Sequence, residues 1–287
     1  MSKPPFRPTA PARPAGGHPA LENADLALRM QRPDEAERLA SGVLKSNRGN
    51  ALAAQILGRA LIMQNRAAEA IEPLQRAARR SEDPAIETLL GMALDAAGQR
   101  DEALAQLQKA TTRRPPFYQA FLEHGGLLGR LGHLDDAIQV LESGLTFTPD
   151  AVDLRMELGY VHIKRNGRAS ARALFLQVLA VAPARHDALT ALAKVMALDG
   201  EYAAAADLYR RALGLRPDDG ATRNSLGMCL LEMGDRSAGE ASLRAAMRDA
   251  PQLAGQAITS LASASHGRFF LRPSAAVQFL NGEKSST

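Results

Sequence analysis

From about residue 20 to residue 253 the apolar residues return at helical spacing, and the pattern breaks at short intervals where glycine or proline stands. In 154–164 and 169–180 two amphipathic patterns flank Asn166-Gly167, which interrupts the backbone between them. The same break recurs at Gly98, Gly132, Gly200 and Gly234. Glycine there ends a helix without a steric penalty. Each second pattern runs out at a proline (Pro115, Pro149, Pro183, Pro217, Pro251), which cannot continue a helix. The predicted element is helix, turn, helix.

That element is repeated. Small residues stand at Ala36, Ala70, Ala103, Ala137, Ala171, Ala205 and Gly239, at intervals of 34, 33, 34, 34, 34 and 34. A second small series, Ala24, Gly58, Gly91, Gly125, Gly159, Ala193 and Gly227, keeps the same register, and so do the closing prolines. Three series on one period predict a tandem array. Seven repeats fit, at 17–50, 51–83, 84–117, 118–151, 152–185, 186–219 and 220–253. The small positions mark where helices cross, with Leu107, Leu141, Phe175 and Tyr209 filling the space beside them. No single repeat buries its apolar face, so stability comes from stacking on neighbours.

The ends differ from the array. Residues 1–19 are proline-rich, with Pro5, Pro8, Pro11 and Pro14 at the polyproline II period, and are expected to form a disordered tail. A further apolar stretch at 254–265 is expected to cap the array. In 266–287 stand Phe269, Phe270 and Phe279, and Ser274 is expected to cap a short helix ending near Leu280. That segment either packs on the last repeat, docks a partner or occupies the chain's own groove.

Composition agrees with helix packed on helix: aromatics are 4% and tryptophan is absent, so the core is built of small and medium aliphatic groups. The single cysteine, Cys229, excludes an internal disulfide framework, and no apolar run is long enough for a signal peptide or a membrane span. A cytoplasmic location is expected. Net charge is +4, from 35 basic and 31 acidic residues interspersed along the chain, a weak bias towards acidic partners. Lysine supplies only six of the basic residues, and with so much alanine this points to a GC-rich bacterial genome.

In the fifth repeat the pattern reads Leu158-Gly159, Ala171, Phe175, Val178, Pro183, and in the third Leu90-Gly91, Leu94, Ala103, Leu107, Ala110, Pro115. This resembles the tetratricopeptide repeat family over about residues 17–253. The first repeat departs from it, with Asn23, Ala27 and Ala40 where larger apolar groups are usual. The resemblance implies an all-α fold, a right-handed α-solenoid of tandem helix-turn-helix repeats with a C-terminal capping helix.

It also implies that the first helix of each repeat lines a concave groove, with its fifth, ninth and thirteenth positions facing the ligand. Those positions hold Gln55, Arg59 and Met63, then Thr88, Met92 and Ala96, then Leu122, Gly126 and Arg130. They continue with Met156, Tyr160 and Lys164, then Thr190, Lys194 and Leu198, then Asn224, Met228 and Glu232. Methionine adapts to varied apolar surfaces, so a groove of Met, Leu and Tyr edged by Arg and Lys suits a protein segment with apolar anchors and acidic flanks. The Lys, Asn and Arg clamp with which some relatives hold chaperone C-termini is missing: Gln55, Arg59, Leu89, Gln119 and Glu123 stand in its places.

Chemistry is sparse elsewhere. No metal-protease helix, Walker loop, nucleophile elbow or paired-cysteine site occurs. His124 and His162 stand where the repeat buries large apolar groups, and Cys229 is expected to be a buried small hydrophobe. Gly125, Gly126, Gly129 and Gly132 follow no strand and so form no phosphate loop; Gly126 and Gly129 leave room for a ligand backbone or weaken the helix locally. The pairs Arg79-Arg80, Arg113-Arg114 and Arg210-Arg211 lie at helix C-termini without interleaved aromatics, which argues against nucleic acid. The expected function is that of a non-enzymatic interaction scaffold or adaptor, with no cofactor, metal, nucleic-acid or membrane partner. The alternative is a regulatory subunit of an enzyme or of a secretion or pilus-assembly complex, where similar repeat proteins occur.

Overall fold

The computed structural model describes residues 18–268 and 272–281. The polyproline spacing and Phe269 and Phe270 lie outside them. The described residues form helices and no strands. Fourteen helices follow in pairs: α1 (Pro19–Arg29) and α2 (Pro33–Ser46), α3 (Ala51–Met63) and α4 (Ala67–Ala78), α5 (Pro84–Ala96) and α6 (Arg100–Thr112), α7 (Tyr118–Leu131) and α8 (Leu134–Phe147), α9 (Val152–Lys164) and α10 (Arg168–Val181), α11 (His186–Leu198) and α12 (Tyr202–Leu215), α13 (Gly220–Glu232) and α14 (Arg236–Asp249). After a single 3₁₀ turn come α15 (Ala254–Ser263) and α16 (Pro273–Asn281).

The starts of these helices follow from the residues there. Proline opens α1, α2 and α5, where a missing N–H costs nothing. Asn50, Asp83, Asp219 and Asp235 cap α3, α5, α13 and α14 by accepting hydrogen bonds from backbone amides of the first turn. Between paired helices one residue turns left-handed: Gly98, Gly132, Gly200 and Gly234 do so with φ from 81° to 89°. After α9 that residue is Asn166, with φ 64°, and its neighbour Gly167 is not the left-handed one.

The chain divides into two compact units, one up to Leu127 and one from Leu128. In the N-terminal unit consecutive helices pack on one another, and the first helices α1, α3 and α5 also pack in series. In the C-terminal unit α9, α11 and α13 do the same. The fit within each pair is of one kind. A Cβ at Gly58 would lie 2.9 Å from Leu74, at Gly91 2.5 Å from Leu107, at Gly159 2.5 Å from Phe175 and at Gly227 2.9 Å from Leu243. A large side chain of the second helix thus fills the notch left by a glycine of the first. Ala103, Ala137, Ala171 and Ala205 are fully buried. Ala137→Leu is therefore expected to overpack the C-terminal unit and cost about 1–3 kcal/mol, read as a lower urea midpoint; an unchanged midpoint would show that Ala137 has room.

The end of the C-terminal unit is closed by α15 and α16. α15 packs on α13 and α14, and α16 packs on α14 and α15. Leu231, Leu243, Met247, Ala257, Leu261 and Leu280 form one core there. The Phe279 ring lies under the guanidinium of Arg244 at 4.8 Å and that of Arg268 at 4.7 Å. Both arginines reach the buried carboxylate of Glu240, at 3.4 and 2.5 Å. The described part of the aromatic segment therefore packs on the last helix pair. Its helix begins at Pro273, so Ser274 stands in the first turn and not at the cap.

One residue works against its own helix. Pro73 lies inside α4, where it cannot donate the usual hydrogen bond, at a cost of about 3 kcal/mol.

Candidate functional site

The serial packing of α1, α3 and α5 creates a face of first helices in the N-terminal unit. On it opens a cleft of about 420 Å³ between α3, α5 and the start of α7. Gln55, Arg59, Met63, Thr88 and Met92 all line it, so five of the groove residues expected from the sequence meet around one volume. The apolar wall is completed by Ile62, Leu89 and Phe117, and Ala85 and Gln119 also line the cleft. Periodicity alone pointed to none of these five. Phe117 precedes α7 and carries no helical phase, whereas Leu89 and Gln119 are adjacent to the ninth-position face.

Two polar groups of the cleft, Arg59 and Thr88, have definite partners. Arg59 lies 3.4 Å from Asp25 of α1, and Asp25 also pairs with Arg29 at 2.7 Å. Asp25 holds in the first repeat the ninth position that Arg59 holds in the second, and the departures of that first repeat concealed it. The Thr88 hydroxyl donates to the Pro84 carbonyl at 2.6 Å, and Thr88 is 1% exposed. Thr88 therefore contributes shape and a satisfied hydroxyl. Arg59 is the cation that remains partly open, with its side chain 45% exposed. Leu122 is half-buried and Gly126 buried, so Gly126 offers no open surface to a ligand backbone.

The C-terminal unit has its own first-helix face, on α9, α11 and α13. There Lys164 and Lys194 are exposed, while Tyr160 and Met228 are half-buried. Arg130 is exposed at the end of α7. Lys164 donates to the Gly129 carbonyl at 3.0 Å, and a Cβ at Gly129 would lie 3.0 Å from Val161. Gly129 thus serves close helix packing. Glu157 lies among these groups; burial pushes its carboxyl up, and the charges of Lys164 and Arg130 pull against that without cancelling it. Burial likewise pushes the Tyr160 phenol up, and its ring meets Phe175 at 5.6 Å.

Two further expected groove residues are corrected. Met156 is 3% exposed and belongs to the core with Ala188 and Leu192, because α11 packs over it. Asn224 is 8% exposed, and its amide donates to Ser260 of α15 at 3.2 Å, because α15 lies over α13. Thr88, Met156 and Asn224 all occupy the fifth position. At Met156 and Asn224 that position faces the helix that follows, α11 and α15 respectively.

The remaining candidates are structural. Cys229 is fully buried, and burial pushes its thiol up to about 11, which suppresses the thiolate. His124 is buried and His162 half-buried. Arg113 is committed to Glu87 and Glu82. Among the described residues no group of three or more His, Cys, Asp or Glu side chains could hold a metal ion, and no helix is long and apolar enough to cross a membrane.

Comparison with known proteins adds relatives to this geometry. Two tetratricopeptide repeat family models match, one over residues 21–84, 88–152 and 156–220, the other over 196–261. A TPR repeat-containing protein of Pseudomonas aeruginosa is 30% identical over 157 residues; the match covers 54% of this chain but only 27% of that protein. A chain of the APC/C hetero-tetramer Cut9-Hcn1 superimposes with a TM-score of 0.69 at 14% identity, over 93% of this chain and 50% of that one. PilF of Pseudomonas aeruginosa gives 0.62 at 17% identity, over 70% of this chain and 92% of that one. At such identities the likeness is one of fold.

Proposed function

Because the chain belongs to the tetratricopeptide repeat family, we propose that it is a non-enzymatic scaffold that holds a segment of a partner protein against its first-helix face. Repeats of this family generally build protein-interaction scaffolds. The observation that carries the reading here is the cleft in the N-terminal unit, where Met63, Met92, Ile62, Leu89 and Phe117 surround one partly open cation, Arg59. Methionine-rich walls accept side chains of varied shape, and the guanidinium favours a carboxylate beside them. The partner segment carries a bulky apolar anchor with an acidic residue next to it. Arg130, Lys164 and Lys194 extend the same preference on the face of the C-terminal unit.

Charge reversal tests this. Arg59→Glu is expected to weaken partner capture about tenfold or more and to remove most of its salt dependence, because it places like charges in contact. The joint variant Arg130→Glu with Lys164→Glu is expected to weaken capture more modestly. Pull-down affinity at two salt concentrations measures both. Indifference to all three substitutions would remove the first-helix face from the account.

A further inference from the structure

A second cleft, of about 300 Å³, opens between α2, α3 and α4 of the N-terminal unit. Its apolar lining is Leu44, Leu57 and Pro73, and its basic lining is Lys45, Arg48 and Arg76. A fourth cation is close by: the Arg80 side chain lies directly against Gly49, the residue after Arg48. Lys45 and Arg48 are exposed and meet no carboxylate among the described residues. Arg76 pairs with Glu72 at 2.6 Å, and that glutamate is itself 78% exposed. Positive charge therefore outweighs negative around this cleft.

Helix C-termini attract cations, and this accounts for Lys45 in the last turn of α2 and Arg76 in the last turn of α4. It does not account for Arg48, which stands beyond the end of its helix. Pro73 is a second, independent observation. A helix breaker in mid-helix is what stability alone would remove, and its rigid ring forms part of the apolar lining of this cleft.

We infer that this cleft is a second docking surface, which takes a short acidic segment of a partner protein. One aliphatic side chain of that segment rests on Leu44, Leu57 and Pro73, and its flanking carboxylates meet Lys45, Arg48 and Arg76. A nucleic acid is disfavoured because no aromatic ring lines the cleft to stack a base. The surface shares no lining residue with the first-helix cleft, so it stands whether or not that cleft binds anything.

The test uses the full chain and a fluorescein-labelled peptide of about twelve alternating glutamate and leucine residues, followed by fluorescence anisotropy at physiological salt. The double variant Lys45→Glu with Arg48→Glu is expected to raise Kd at least about tenfold, since like charges replace complementary ones. Both sites are exposed, and circular dichroism verifies that the variant stays folded. Pro73→Ala is expected to raise the melting temperature while weakening the peptide severalfold, a combination that a purely structural role would not give. Arg59→Glu is expected to weaken this binding less than the double variant does, and the binding that remains in the Arg59→Glu chain is expected to be lost when Lys45→Glu and Arg48→Glu are added, which separates the surface from the first-helix cleft. Three results would each overturn the inference: no binding by the unaltered chain, loss of binding in Arg59→Glu but not in the double variant, or equal affinity for single-stranded DNA of matched length and charge.

Discussion

Phe175→Ala is expected to destabilise the C-terminal unit by about 3–5 kcal/mol, as truncation of a fully buried aromatic does when its surroundings cannot collapse. Phe175 is 0% exposed and sits in the notch of Gly159 with its ring 5.6 Å from Tyr160. Helices on both sides of α10 depend on that filling, so urea unfolding followed by circular dichroism should show the unit melting earlier and less cooperatively. A companion variant identifies the cause. Gly159→Ala alone places a methyl 2.5 Å from the Phe175 ring and should cost about 1–3 kcal/mol. Combined with Phe175→Ala, the same methyl enters vacated space, so the two costs should fall short of their sum. Strict additivity would mean that the glycine and the ring do not meet.

The second large effect concerns Glu87. Its side chain is fully buried, yet Arg113 donates two hydrogen bonds to it at 2.8 and 3.0 Å, and Lys109 approaches at 2.9 Å. Burial pushes the carboxyl up; the hydrogen bonds from Arg113 and Lys109 outweigh it and hold the group below its ordinary value of 4.5. A carboxyl with a lowered folded pKa contributes stability above the ordinary carboxylate range. That contribution is lost as pH falls through the lowered folded value. Breaking a buried ion pair costs about 3–5 kcal/mol when the remaining charge is trapped. Here the Lys109 side chain is 48% exposed, and Arg113 keeps Glu82 at 3.0 Å. The cations can rehydrate, and Glu87→Ala is therefore expected to cost about 2 kcal/mol at neutral pH. Glu87→Gln should flatten the acid limb of the stability profile. An unchanged acid limb in that variant would assign the acid sensitivity to other carboxylates.

The helix pairing was legible because it depends on which positions must be small and which must break the backbone. Gly91 facing Leu107 and Gly159 facing Phe175 are packing constraints that leave a period in the sequence. The break at Asn166-Gly167 turns left-handed at Asn166 and not at the glycine, because asparagine also tolerates that conformation. The groove was legible only in part. Helical spacing places Thr88, Met156 and Asn224 on the face of their own helix, but whether that face stays open depends on the helix that packs over it. α11 covers Met156 and α15 covers Asn224. Phe117 was not found, since a residue between helices has no phase to read. Asp25 holds the ninth position in a repeat whose other residues depart from the pattern, so the pattern does not point to it although Arg59 turns towards it.

The proposed scaffold function rests on a partner seated against the first helices. A photoreactive amino acid placed singly at Met63, Met92 or Leu176, in the chain expressed in its native cell, tests this most directly. Met63 and Leu176 are comparably exposed, at 39% and 48%, but Leu176 lies on a second helix and Met63 lines the cleft. The account predicts that Met63 and Met92 crosslink to one contiguous segment of the same protein and that Leu176 does not reach that segment. Crosslinks to that protein from Leu176 alone, or none from Met63 and Met92, would contradict it.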